Sequence, residues 1–293
     1  MPQTPTPPPY LVKKPSSAMS PFVFAAPHSG RFYPADFEAR SRLAPSALKK
    51  SEDAFVDELF ASVTDFGGTQ LVATHARAFL DLNRADNELD PSLFTPELDS
   101  QDLNISHRVK AGLGLIPGVI AEGVNIYSNR LPAREADKRR DAIHRPYHSK
   151  LKSLLDERKT RYGRAYLIDC HSMPSEGGKK KRRGPDIVLG DSWGSACSRE
   201  LTSLAEELFI GAGFNVRRNV PYSGGYSTVH YGNPAEGIEA LQIEINRAIY
   251  MDEETQRPLP EFDDIAASLI EASKELVSKT MKRTANTVRS AAE

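Results

Sequence analysis

The stretch LIDCHSMP, Leu167–Pro174, decides how the fold is read. An apolar run with the length and composition of a buried strand ends in Asp169, Cys170 and His171, where Pro174 opens a loop. Working outward, PFVFAA from Pro21, QLVATHA from Gln70, AFLDLN from Ala78, DIVLGD from Asp186, FNVRRN from Phe214 and ALQIEIN from Ala240 read as further strands. Several are nearly continuous in apolar residues, the pattern of strands covered on both faces. Between them lie helical stretches: SEDAFVDELFASV with Ser51 as N-cap, a charged segment from Pro132 to Arg161, CSRELTSLAEELFIGAG, and a last one from Pro260 to about Lys282. This alternation predicts an α/β fold, a sandwich of helices on a sheet.

Composition narrows the function classes. A formal net charge of −1 over 293 residues gives no overall pull toward nucleic acid or a membrane surface. The two cysteines, Cys170 and Cys197, are too few for a disulfide framework and lack zinc-knuckle spacing, so a cytoplasmic setting is expected. No apolar run is long enough to span a bilayer. The sequence predicts a disordered Pro-rich arm over residues 1–20, one catalytic domain over 21–282, and a polar, frayed tail over 283–293.

In open α/β sheets ligands bind beyond the carboxyl ends of the strands. His28 ends one strand in AAPHSG, Asn83 and Arg84 another in DLNR, and Asp169 and His171 a third. Gln242, Glu244 and Asn246 share one face of the last. Two histidines, a carboxylate and an arginine so placed could assemble a metal hydrolase site. Each also has a plain structural reading. A strand-end histidine can simply be hydrogen-bonded, and Glu244, between Ile243 and Ile245, can be paired with Arg247 or Arg84, since burying it unpaired is too costly.

Other residues carry weaker signals. His144 and His148 have i, i+4 spacing, but no glutamate follows the first and Pro146 is expected to interrupt the helix, so they read as surface or structural. His75 and His107 have no supporting pattern. His230, in STVHYG after the Gly-rich PYSGGY, either faces the site from a loop or packs on Tyr231. The basic run GGKKKRRGPD lacks interleaved aromatics and reads as a solvated loop, one of whose arginines, Arg183, could meet an anionic substrate. No Gly-rich phosphate loop of common spacing is present. Cys170 and His171 point to opposite strand faces and do not form a nucleophile pair.

Taken together, PHSGRFYP, SEDAFVDELF, DLNR, IDCHSMP, RGPDIVLGD, PYSGGYSTVHYG and ALQIEINRAIYMDE, in this order between Pro21 and Glu254, resemble the N-formylglutamate amidohydrolase family. The resemblance implies a zinc-exopeptidase-like (phosphorylase/hydrolase-like) fold, a three-layer α/β/α sandwich with a mixed central sheet, and hydrolysis of an N-acyl amino acid bearing carboxylates. The simplest case is N-formyl-L-glutamate giving formate and glutamate in histidine degradation. A relative acting on another N-acyl or peptide-like amide, and a metal-free binding protein on the same fold, are the alternatives.

The resemblance also implies one zinc ion, with His28 as first ligand and His171 as last. The wider group of carboxypeptidases and aspartoacylase has a His-x-x-Glu motif, but three positions after His28 stands Arg31, which cannot bind a cation. The missing carboxylate is then Asp53 or Asp57, read as one helical turn apart on one face. Glu244 resembles the general base, and Asn83 and Arg84 resemble substrate-holding residues, with Arg84 also stabilising the oxyanion. Gly224, Gly225, Tyr226, His230, Arg183 and Asn246 complete the expected substrate set, and Asp169 is expected to orient a ligand ring.

Overall fold

A computed structural model describes residues 5–120, 123–175 and 184–290, with side chains described to residue 283. The sheet has seven strands: β1 Tyr10–Lys13, β2 Phe22–Ala26, β3 Thr69–Ala73, β4 Ala165–Met173, β5 Ile187–Gly190, β6 Val216–Arg218 and β7 Ile238–Asn246. Their order is β1-β3-β2-β4-β7-β5-β6. β2, β4 and β7 run parallel, β5 is antiparallel to β7 and β6 is parallel to β5, so the sheet is mixed. All nine residues of β4 and eight of the nine of β7 are buried, polar residues included, as in strands covered on both faces. The β4–β7 register sets Asp169 opposite Gln242 and His171 opposite Glu244. The polar ends of the two central strands therefore share one face.

The chain divides into two compact units. One comprises the chain through Leu11 with Pro27–Ala54 and Val72–Lys152, and it is rich in turns and short helices. The other comprises Val12–Ala26, Phe55–Leu71 and the chain from Ser153 onward, and it holds the central strands. Within it, helix α3 over Arg199–Gly211, capped by Ser198, packs on the long helix α5 over Phe262–Ser290. α5 buries Leu269, Ala272, Leu276 and Val277, the spacing of one helical stripe. Among the described residues no helix is long and apolar enough to cross a membrane.

Several elements depart from the sequence expectation. Tyr10–Lys13, expected within a disordered arm, is a strand, and its neighbour Pro9 accepts from the Thr74 amide at 3.4 Å. The run between Pro9 and Pro15 has every backbone N–H available for a ladder. AFLDLN is a series of turns: Phe79 and Leu80 amides both return to Ala76, and the Asp81 amide donates to Leu115. Its apolar residues are buried without being a strand.

The helix expected from Ser51 breaks. Phe55 takes a left-handed φ of 65°, leaving only helix α1 over Val56–Leu59 followed by 3₁₀ turns. The cause lies upstream: the Asp53 amide donates to the His28 carbonyl at 3.0 Å and Ser29 Oγ donates to the Asp53 carbonyl, tying this backbone to the loop after β2. Pro146 does not interrupt its helix either. A π-turn over Arg140–His144 feeds directly into α2, Arg145–Tyr162, and the wider turn accommodates the missing proline N–H. At the other end, α5 continues beyond Lys282, where fraying was expected.

Candidate metal and catalytic site

His28 stands two residues beyond β2 and is 1% exposed. Its Nε2 lies 2.7 Å from Asp81 Oδ1 and its Nδ1 3.2 Å from Asp53 Oδ2. Burial would raise the Asp81 carboxyl, but Arg77, Arg84 and His28 outweigh it and hold the group well below the usual carboxylate range. An ionised Asp81 can only accept, so His28 Nε2–H donates to it, and in a neutral ring Nδ1 presents a lone pair toward Asp53. Asp81 was passed over in the sequence because it reads there as one more strand residue. It also receives the Asn83 amide at 2.9 Å, which binds the whole DLNR turn to His28.

His171 repeats the pattern on β4. Its Nε2 lies 3.1 Å from Asp169 Oδ1, and Thr228 Oγ1 donates to the other Asp169 oxygen at 3.3 Å. The His171 contact is one of distance, since Asp169 Oδ1 receives no aligned donor among the described residues. His28 and Asp53 each present one ligand atom, 3.2 Å apart, and His171 presents a second imidazole near the end of β4. Donors around a tetrahedral zinc with bonds of about 2.0–2.1 Å sit roughly 3.3 Å apart, close to the observed His28–Asp53 spacing. Two imidazoles and a carboxylate, with an aspartate behind each imidazole, fit a divalent N/O-binding metal. Asp57 is not in this cluster: it lies beyond the Phe55 break, within α1, and its carbonyl accepts from Gln70 Nε2.

Arg84 is 3% exposed and largely committed to its own surroundings. Nε donates to Leu113 O at 2.8 Å and Nη1 to Asn83 O at 2.6 Å. Nη2 lies 3.6 Å from Asp81 Oδ2 and makes no hydrogen bond among the described residues. Behind this turn, His144 Nε2 donates to the Arg84 carbonyl and His148 Nε2 to the Leu82 carbonyl, each at 2.9 Å. The two rings lie 4.2 Å apart and are buried. They are structural, as one of the two sequence readings had it, though not on the surface.

On β7, Glu244 accepts from Gln242 Nε2 at 2.8 Å, and Gln242 Oε1 accepts from the Gly225 amide at 2.7 Å. Glu244 is 7% exposed. Gly225 is the N-cap of helix α4, Tyr226–Tyr231. His230 sits on that helix, exposed, stacked on Tyr226 at 4.8 Å and edge-on to Tyr231. Asn246 is turned inward: its Nδ2 donates to Pro185 O and its Oδ1 caps the Ala248 amide, so both ends of the amide serve backbone. Arg183 lies outside the described residues.

The N-formylglutamate amidohydrolase family model matches residues 20–251. An N-formylglutamate deformylase of Pseudomonas putida is 31% identical over 243 residues, which is 80% of this chain and 82% of that protein. The same enzyme of Pseudomonas aeruginosa is 28% identical, covering 89% and 92%. The crystal structure of N-formylglutamate amidohydrolase from Ralstonia eutropha superposes with a TM-score of 0.87 at 33% identity, covering 94% of this chain and 99% of that one. The sequence, the mixed seven-stranded sheet and the paired histidine–aspartate geometry thus converge, and the chain belongs to the N-formylglutamate amidohydrolase family, hydrolases of linear amide bonds.

Proposed function

We propose that this protein hydrolyses N-formyl-L-glutamate to formate and L-glutamate at one zinc ion held by His28, Asp53 and His171. The observation that carries the reading is the pairing of each imidazole with an aspartate, with a further carboxylate, Asp53, at the other nitrogen of His28. The substrate comes from the relatives named for it.

When bound, zinc supplies Lewis acidity, lowering the pKa of a water from near 16 to about 7 and polarising the formyl carbonyl. Glu244 would take a proton from the attacking water and return it to the departing amide nitrogen. Attack forms a C–O bond at the formyl carbon, collapse breaks the C–N bond, and the amine leaves protonated. Gln242 holds one oxygen of Glu244, and its register partner His171 fixes the face on which the base works. Arg84 Nη2 is a buried donor with no hydrogen bond among the described residues, suited to a substrate carboxylate or the developing oxyanion. Asn83 and the segment from Gly224 to Tyr226, with His230, would line the amino-acid side of the substrate. The two cysteines are buried and unlinked, which suits a reducing compartment such as the cytoplasm, where histidine degradation would supply this substrate.

Amine release from N-formyl-L-glutamate by metal-stripped and then zinc-reloaded protein tests this directly. Turnover that is lost on stripping and returns with zinc is expected. Tight zinc binding without turnover would move the proposal to a larger N-acyl amide, and failure to bind zinc would remove the metal assignment.

A further inference from the structure

We propose that Gln242 is a positioning residue that sets the orientation of the Glu244 carboxylate, an inference that rests on the reading of Glu244 as the base. Gln242 and Glu244 are two apart on β7 and so project from one face, 3% and 7% exposed. The partners fix the amide's orientation. The Gly225 N–H can only donate, so the atom it meets is Oε1, and the atom facing Glu244 Oε1 is the donor Nε2. Rotation of a carboxylate about its last bond is soft. A donor held on one oxygen therefore decides where the other oxygen points.

The anchor behind Gln242 is itself fixed. Gly190 is the register partner of Gln242 on β5. A Cβ there would lie 2.8 Å from Gly224 N and from Ser223 C, so the turn through Ser223 and Gly224 rests directly on the strand. The Ser192 amide donates to the Ser223 carbonyl at 2.7 Å, clamping the same turn. The order of dependence runs from Gly190 to the turn, from the Gly225 amide to Gln242, and from Gln242 to Glu244. A glutamine serving only to cap the turn would need its Gly225 bond and no donor aimed at a carboxylate.

Gln242→Glu keeps the size and the acceptor for Gly225 but removes the donor facing Glu244. The expected result is a kcat lower by about 10- to 100-fold, as a misdirected catalytic group costs, with KM within about twofold. Zinc content and melting temperature should stay near wild type. If the glutamate variant does not fold, Gln242→Met removes both hydrogen bonds at similar volume and should show the same kcat loss. In a Glu244→Asp background, whose shorter side chain no longer meets Nε2, the effect of Gln242→Glu should shrink to under about twofold. A wild-type kcat for Gln242→Glu, or an equal loss in both backgrounds, would overturn the proposal. Glu244→Gln separates the two readings. If it retains turnover, Glu244 is not the base and both fall; if it is inactive while Gln242→Glu is unimpaired, only the positioning role falls.

Discussion

His28 and Asp81 are joined by a buried hydrogen bond of 2.7 Å, from Nε2 to Oδ1. The bond settles which imidazole nitrogen is available to a metal and turns it toward Asp53. Asp81 in turn is held by Arg77 Nε at 3.0 Å and by the Asn83 amide, so the ring is fixed to the DLNR turn. Replacing Asp81 by Asn keeps the shape and removes the charge. Zinc affinity should fall about 10- to 100-fold, the range for losing such an outer partner, as measured by competition with a chromogenic chelator. Wild-type affinity would mean that Asp81 serves the turn and not the metal.

Asp53 and Asp57 make a sharper pair. Asp53 lies 3.2 Å from His28 Nδ1 while Asp57 lies beyond the Phe55 break, so Asp53→Ala should abolish stoichiometric zinc binding while Asp57→Ala keeps it. Elemental analysis of the two purified variants decides this, and the reverse pattern would displace Asp53 from the ligand set.

How far these residues could be read from sequence depends on how local their signals are. The strands β2, β4 and β7 declare themselves through their apolar content, and with them come His28, His171 and Glu244 at or near their ends. Asp53 was favoured but Asp57 stayed open, because a helical pattern cannot foresee that Phe55 turns left-handed once the Asp53 amide is taken by His28 O. Asp81 was missed for a related reason: Phe79, Leu80 and Leu82 are buried as a strand's would be, yet the backbone there is all turns. The β4–β7 register, which aligns His171 with Glu244, joins residues 73 apart and leaves no trace in either segment alone.

The histidine pair behind DLNR should behave as a scaffold. His148→Phe preserves the packing near His144 but leaves the Leu82 carbonyl without its imidazole donor. Unfolding in urea should show a loss of about 1–3 kcal/mol, the cost of stranding a buried acceptor. An unchanged midpoint would mean that water reaches Leu82 and that the pair does not brace the turn.

Acid should weaken the fold before most carboxylates titrate. Burial lowers His75 to about 4 and lowers His144 as well. His75 is 4% exposed, its Nδ1 faces Thr74 Oγ1 at 3.0 Å, and its ring packs against Phe32 and Phe79. A folded pKa below the unfolded value of about 6.5 means that the unfolded chain takes up the proton first. The stability due to a neutral His75 is therefore complete above about pH 6.5 and is lost as pH falls toward 4. At pH 5 the loss from this residue is about 2 kcal/mol relative to pH 8. Urea unfolding at both values should show it, and His75→Phe, which keeps an aromatic ring in the same packing, should reduce the pH-dependent difference by that amount. An identical slope in wild type and variant would show that His75 is protonated as easily in the folded state as in the unfolded chain.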